Sequence, residues 1–485
     1  MHPPLSTVRA GARPMTHALL MASVLLTGCR LGPAHYSVSI PERFDWAPAG
    51  AATTWPEPGW FGGFGSEELA QLVNAALAGN LDLAQRRERI VQADERARQA
   101  RAAILPQVSA NPNVQTFAGH ASSGSYHETD WAAVLSASYE VDFWGKNRAQ
   151  AEAARDEGFA ARADRDNLGL TTEAGVADTY FTVLSLRERL GIARANVESA
   201  RTVLGIVEAR FKAGLATPLE VAAQAAAVAS LEVAIPGLEQ SLTAELGALA
   251  VLLGRAPEQF DVKAQSLEGL LAPRVSPGLP AEILRRRPDI AEAEANLAAA
   301  HANLEVARAQ LLPALTLTGN GGIANPAVNA AVNALSGTGP TLTVGASLVQ
   351  SVFDAGRLRA ARREAAAHER ELLLAYRAAI LAALTDVETS LAAIARLESA
   401  DAAQQALIKQ TERALEGARL RFEKRAGDFL AVLEAQRTLY AARDEFAQYR
   451  LARLQAAVSL CKALGGGWTI RDIDPNARLP QATMQ

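Results

Sequence analysis

Aromatic residues make up only 5% of this chain, cysteine occurs twice and histidine seven times in 485 residues, and the formal net charge is −4. Each scarcity removes a class of function. Without a basic excess no nucleic-acid partner is indicated, because phosphate binding draws on clustered Lys and Arg. His2, His17, His35, His120, His127, His301 and His368 show no metal-ligand spacing. No glycine-rich phosphate loop follows a strand-like segment, so neither metal nor cofactor is expected. Cys29 closes an apolar N-terminal stretch while Cys461 lies in a late helical pattern, and no disulfide is expected between them. Beyond the N-terminus no segment supplies the roughly 18 consecutive apolar residues of a membrane-spanning helix. Any crossing of a bilayer then falls to strands.

What the chain has in quantity is alanine, accompanied by Leu, Glu, Arg and Gln, the composition of long, closely packed helices. Arg9 and Arg13 form a basic front to the short apolar run Ala18 to Leu26, which reads as a secretory signal over residues 1–28. Leu26-Thr27-Gly28-Cys29 resembles a bacterial lipobox, in which the chain is cut before the cysteine and its sulfur is acylated. Removing Arg9 and Arg13 takes the formal charge from −4 to about −6. The lipoprotein resemblance, with Arg30 rather than aspartate after the cysteine, implies sorting to the outer membrane.

The same unit occurs twice. Arg210-Phe211-Lys212-Ala213-Gly214 with Leu219 and Val221 is answered by Arg421-Phe422-Glu423 with Leu430 and Val432, about 211 positions on. Asp142-Phe143-Trp144-Gly145 and Phe353-Asp354-Ala355-Gly356 keep that step at their glycines, and Leu105-Pro106 answers Leu312-Pro313. Each half predicts a helix, two strands, a long helix and a returning helix. In the first half Val176, Val183, Leu190, Val197, Leu204 and Phe211 recur every seven residues, and in the second Leu373, Ile380, Val387, Ile394, Ile408, Leu415 and Phe422 do so, broken once at Asp401. A helix from Lys146 to Phe211 would be about 100 Å long. The halves occupy 66–254 and 281–464, after an N-terminal segment at 29–65, with a Pro- and Gly-rich linker at 255–280 and a tail at 465–485.

The segments between helices alternate with period two. Leu135, Ala137, Tyr139, Val141 and Phe143 oppose Ser136, Ser138, Glu140 and Asp142, and Leu342, Val344, Ala346 and Leu348 oppose Thr343, Gly345 and Ser347. Val108 to Thr116 and Leu315 to Thr318 are weaker partners, and Pro112 marks the first as an edge strand or a bulge. Alternation alone fits a soluble half-buried sheet as well as a barrel. Counting favours the barrel in a pooled form: four strands cannot close, and open edges in lipid cost several kcal/mol per unpaired group. Two chains would give a nearly filled barrel and three would leave room for water. Trp131, Tyr139, Phe143 and Trp144 at the strand ends suit an interfacial girdle or a local core cluster.

Together with Trp60-Phe61, Phe64-Gly65, Asn80-Leu81-Asp82-Leu83, Tyr139 through Gly145, Arg285-Arg286-Arg287-Pro288-Asp289-Ile290, Phe353 through Arg357, Leu433-Glu434-Ala435-Gln436-Arg437 and Lys462 through Trp468, these features resemble the outer-membrane factors. That is the TolC-like family, in its OprM/NodT lipoprotein branch. The resemblance implies a mainly α protein with a transmembrane β-barrel: a homotrimer with a twelve-stranded barrel on a twelve-helix periplasmic tunnel. It implies a lipid on Cys29, insertion among outer-membrane lipid, and docking to a periplasmic adaptor, the membrane fusion protein, and an inner-membrane pump. Docking would use Gly214, Leu215, Thr217, Pro218 and Leu219 at one hairpin tip and Gly427, Phe429 and Leu430 at the other. Arg425 departs from the glycine usual at the second tip. From spacing, Glu434 and Arg437 share a helix face and suit a solvated pair or a gate; by resemblance they match the family's periplasmic gate, with Phe422 an aromatic that helps close it.

The function implied is a passive outer-membrane channel for export, and not an enzyme, since no nucleophile and base pair up in the sequence. A structural lipoprotein tethering envelope layers would share the lipobox and the heptads but would have no use for amphipathic strands.

Overall fold

The computed structural model describes residues 40–47, 53–121, 124–324, 339–424 and 426–470. The signal segment, Cys29, Arg425 and the tail from 471 lie outside the described residues. All elements below belong to the unit that begins at Pro41.

Two short helices come first, α1 (Glu67–Gly79) and α2 (Leu81–Ala102). The Ser66 side chain accepts from the Leu69 N–H, and Asn80 accepts from the N–H groups of Asp82 and Leu83, so one helix stops and the next starts at a single capping residue. Strands β1 (Gln107–Ala121) and β2 (Gly124–Val141) follow, then the long helix α3 (Lys146–Lys212) and its antiparallel return α4 (Pro218–Leu252). The second half repeats the order with α5 (Pro288–Ala309), β3 (Ala314–Ala324), β4 (Gly339–Val349), α6 (Arg357–Glu423) and α7 (Phe429–Ala463). Helices α3 and α6 both have 67 residues, α4 and α7 both 35, and both pairs begin 211 positions apart. At 1.5 Å per residue each long helix is about 100 Å long.

The repeat extends to capping chemistry. Gly145 and Gly356 take left-handed φ of 78° and 85° at the starts of α3 and α6. Just upstream, Asp142 accepts from the backbone of Asn147 and Arg148, and Asp354 from that of Gly356 and Leu358. Burial raises the Asp142 pKa, but the backbone donors of Arg148 and Asn147 outweigh it and hold the carboxyl below its ordinary range. The Leu358 and Gly356 donors hold Asp354 low in the same way.

Helix α3 packs against α4 and α7, and α7 packs against α6, so α3 and α7 are central and α4 and α6 lie outside them. Salt bridges tie the pairs: Arg201 to Glu232 and Arg194 to Glu239 between α3 and α4, Arg443 to Glu412 and Arg453 to Asp401 between α7 and α6. Asp401, which interrupts the heptads, leaves the helix unbroken and is satisfied by this partner. The consecutive-run criterion missed two apolar helices. Windows of α4 and α6 reach mean hydropathies of 1.5 and 1.6, enough by length and composition to cross a membrane. Val, Leu and Ile set among many alanines produce those values, and both helices lie in ion-paired hairpins.

The core gathers where the 3-10 turn Trp60–Phe64 and α1 meet α3 and α7: Phe64, Leu69, Tyr180, Phe181, Leu184, Val458 and Cys461 are buried together. The linker is sewn to this core, with Glu68 accepting from the backbone of Lys263 and Ala264 and Arg187 donating to the carbonyls of Val262 and Ala264. Gly465 closes α7 at φ 87°, where a Cβ would overlap the Arg286 carbonyl oxygen.

The sheet runs β1-β2-β3-β4, entirely antiparallel. Its register pairs Val108 with Ala137, Val114 with Trp131, Tyr139 with Leu317, Leu315 with Leu348, Gly319 with Val344 and Gly321 with Leu342. Residues paired across strands point to the same side. One face therefore collects most of the large apolar residues, among them Val108, Val114, Trp131, Leu135, Tyr139, Leu315, Leu317, Ile323, Leu342, Val344 and Leu348, while Ser136, Ser138, Thr316, Thr318, Asn320, Thr343 and Ser347 share the other with Phe117, Val134 and Val349. Pro112 lies in β1, an outermost strand, where its missing N–H is tolerated.

Candidate functional site

Both hairpins turn within five residues, and the two turns are built differently. After α3, Gly214 takes φ 73°, and Thr217 and Glu220 form a capping box that starts α4 at Pro218. After α6, the Asp428 side chain caps α7 by accepting from the Leu430 N–H, and a Cβ on Gly427 would press to 2.9 Å from that of Arg421. Gly214, Thr217, Pro218, Gly427, Leu215, Leu219 and Leu430 are exposed, Leu219 at 77% and Leu430 at 69%. Phe429 differs from the other residues expected to dock a partner. It is 2% exposed and its ring centroid lies 5.3 Å from that of Phe422, so it builds the tip from within.

Phe422 is buried too, in a cluster with Val203, Val207, Leu415, Phe429, Val432 and Leu439 that draws on α3, α6 and α7. Arg210 of α3 stacks on it at 4.1 Å and donates to its carbonyl oxygen at 2.7 Å. The sequence reading missed the role of Arg210; the signal available was the Arg-Phe pair recurring in both halves, of which Arg210 of the first reaches Phe422 of the second. It also missed two links from α7 to α3 higher up: Arg189 to Asp444 at 2.7 and 3.0 Å, and Arg450 to Glu188 at 2.8 Å.

Glu434 and Arg437 both lie exposed on α7. Neither forms an ion pair with the other or with any described residue of the same chain. Their spacing does not produce the intrahelical pair it permits.

At the other end, the apolar sheet face is open: Val108, Val114, Leu135, Leu342, Val344 and Leu348 are 59% to 80% exposed. Continuous apolar exposure on this scale marks a surface made for another apolar phase or partner. Phe143 and Trp144 meet edge to face at 4.7 Å just past β2, and the Trp144 indole donates to the Pro313 carbonyl, tying the two strand pairs at their base.

Comparison with known proteins places this arrangement. The outer membrane efflux protein family matches residues 72–255 and 279–466, one block for each half. The chain is 40% identical over 464 residues to the pyoverdine export outer membrane protein OpmQ of Pseudomonas aeruginosa, covering 93% of this chain and 96% of that one. It is 28% identical over 454 residues to the cation efflux system protein CusC of Escherichia coli, covering 92% and 97%. Among solved structures, the outer-membrane channel OprN superposes with a TM-score of 0.83 at 26% identity, over 91% of this chain and all of that one. A duplicated helical hairpin on a four-stranded sheet, matched along both halves in sequence and in structure, makes this chain a member of the outer membrane efflux protein family.

Proposed function

We propose that three copies of this chain form a passive conduit through the outer membrane and across the periplasm, the outer component of a tripartite export system. The observation that carries this reading is the strand register, which puts most of the large apolar residues of β1 to β4 on one exposed face and most of the hydroxyl and amide side chains on the other. Such a sheet suits lipid on one side and water on the other. Its outer strands β1 and β4 require neighbours in lipid, because each unpaired backbone group there costs several kcal/mol. Twelve strands from three chains close the edges and leave a water-filled lumen. The two hairpins of each chain then give a wall of twelve helices.

Acylated Cys29 supplies a second attachment to the outer membrane, with no other group bound. Gly214, Leu215, Thr217, Pro218, Leu219, Gly427 and Leu430 form the surface offered to a periplasmic adaptor, which links the conduit to an inner-membrane pump. Glu434 and Arg437, without an ion-pair partner among the described residues of one chain, meet groups of neighbouring chains and close the entrance, braced by Phe422. The cargo is a small molecule chosen by the pump, and the OpmQ relative makes a siderophore-sized polar compound the first to test.

Planar-bilayer recording of the purified protein, with native mass spectrometry in mild detergent, tests this reading. Trimers with discrete ion currents are expected. A stable monomer or dimer without current would overturn it and leave the structural tether of envelope layers as the better account.

A further inference from the structure

Between α3, α4 and α7 runs a groove of about 770 Å³ that the conduit reading does not use. We propose that it is a holding site for one amphipathic organic anion, a bicyclic-sized apolar body bearing a hydroxyl or amide, lodged just above the entrance. The inference rests on the channel reading and adds a ligand class and a place along the path.

The α4 side of the groove lies around a proline. Pro236 sits inside α4 and removes the N–H that would reach the carbonyl of Glu232. On the α4 wall the small side chains of Ala227, Ser230, Ala234 and Gly237 alternate with Leu231 and Leu238 and leave space between them. Leu186 and Ile192 of α3 and Leu433 of α7 make the facing walls apolar. The volume is that of a small-molecule site, and so is the pattern of apolar lining with few polar groups.

Those polar groups define the ligand. Asn196 lines the groove and is only 4% exposed, yet its amide oxygen is buried without a hydrogen-bond partner. No described residue bonds the other end of that amide. A buried unpaired amide is costly, and a ligand group that both donates and accepts would satisfy it in either orientation of the amide. Gln436 beside it is already committed to the Tyr440 hydroxyl. Charge supplies the second criterion. Of the charged residues lining the groove, Arg189 and Asp444 neutralise each other, which leaves Arg437 as a net positive charge at the exposed rim. An anion with an apolar body and a hydroxyl meets all three features at once.

The test uses the intact trimer and 6-hydroxynaphthalene-2-sulfonate, followed by its own fluorescence against detergent blanks, with naphthalene-2-sulfonate and 2-naphthol as analogues lacking one pole each. Saturable binding of three molecules per trimer is expected, with each analogue about tenfold weaker, the scale of one hydrogen bond or charge contact at a buried site. Asn196→Leu should abolish the advantage of the hydroxyl, and Arg437→Gln that of the sulfonate. Ala234→Leu, which fills the groove and leaves the polar groups in place, should weaken all three probes. No saturable binding, or binding indifferent to Ala234→Leu, would overturn the site. Current recorded on the same trimers keeps the readings apart: conduction without binding defeats the holding site alone, and absence of conduction defeats the channel.

Discussion

The guanidinium of Arg210 lies 4.1 Å from the centre of the Phe422 ring and donates to the carbonyl oxygen of the same residue at 2.7 Å. One side chain of the first repeat thus holds both the ring and the backbone of the last turn of α6. Desolvated cation–π contacts and hydrogen bonds from a charged donor together stabilise by about 2 kcal/mol or more. Arg210→Ala should loosen each tip, raise the open probability in planar bilayers and sensitise cells to bulky antibiotics. Arg210→Lys keeps the charge but loses the planar stack and should lie in between. Unchanged currents in Arg210→Ala would remove Arg210 from the closed state.

Glu434 and Arg437 supply an independent handle on the same end. Neither has an ion-pair partner among the described residues of its own chain, which leaves both available to groups of a neighbouring copy. Glu434→Ala combined with Arg437→Ala should increase single-channel conductance and admit large antibiotics. Normal conductance and normal sensitivity, with trimers present in the membrane at ordinary amount, would discard the gate and leave the channel standing.

The sheet faces predict a contrast between adjacent residues. Leu342 is on the apolar face and Thr343 on the polar one. Arginine on a lipid face costs about 2–4 kcal/mol at the bilayer midplane. Leu342→Arg should therefore deplete trimers from the outer membrane, while Thr343→Arg should assemble and shift ion selectivity. Equal yields of the two variants, measured by quantitative immunoblot of outer-membrane fractions, would contradict the lipid-facing assignment.

Asp178 predicts a pH effect. Burial drives its pKa up to about 6, opposed in part by the charge of Lys462, and one carboxyl oxygen lacks a hydrogen-bond partner. A carboxyl with a raised folded pKa binds its proton more tightly in the folded state than in the unfolded one, near 3.9. It costs nothing below the unfolded value, and its penalty grows as pH rises to about 6 and then levels off. Asp178→Asn should stabilise the fold at pH 7.5 by about 1–2 kcal/mol after allowance for solvent screening, seen as a raised melting temperature whose gain shrinks toward pH 4. A gain independent of pH would point to a cause other than titration.

Cys29 lies outside the described residues and is tested chemically. Mass spectrometry of the mature protein should find two or more acyl chains on it, since a single chain anchors only marginally. Cys29→Ala should lower the amount of assembled trimer more than it lowers the conductance of those that form.

Much of the fold was legible because repetition and period are properties of the sequence itself. The 211-position step gave equal hairpins, and the alternation around Leu135 and Leu342 gave the sheet faces. The second heptad seam held to the tip, where Phe422 is buried. In the first, Ala200 and Val207, three residues after Val197 and Leu204, stay buried to the tip, but Phe211 at the end of the main row is 45% exposed. A straight helix drifts about 20° per heptad from a seven-residue repeat, so a long seam read strictly by sevens walks off the buried face. The contacts at the tip were not legible, because Arg210 and Phe422 meet only after two helices of about 100 Å return to the same end. Sequence spacing along α7 placed Glu434 and Arg437 on one face but could not say that neither would find an ion-pair partner among the described residues of the chain.

The cross-strand register carries one more consequence. A slip of one residue between β2 and β3 would turn Leu315, Leu317 and Ile323 toward water and Thr316, Thr318 and Asn320 toward lipid, with every backbone bond still available. Hydrogen bonding alone does not distinguish the two alignments strongly. In the assembly proposed above, the bilayer does, because only one alignment offers it a uniform hydrocarbon surface. The membrane then acts as a proofreader of strand alignment, rejecting misaligned chains at insertion.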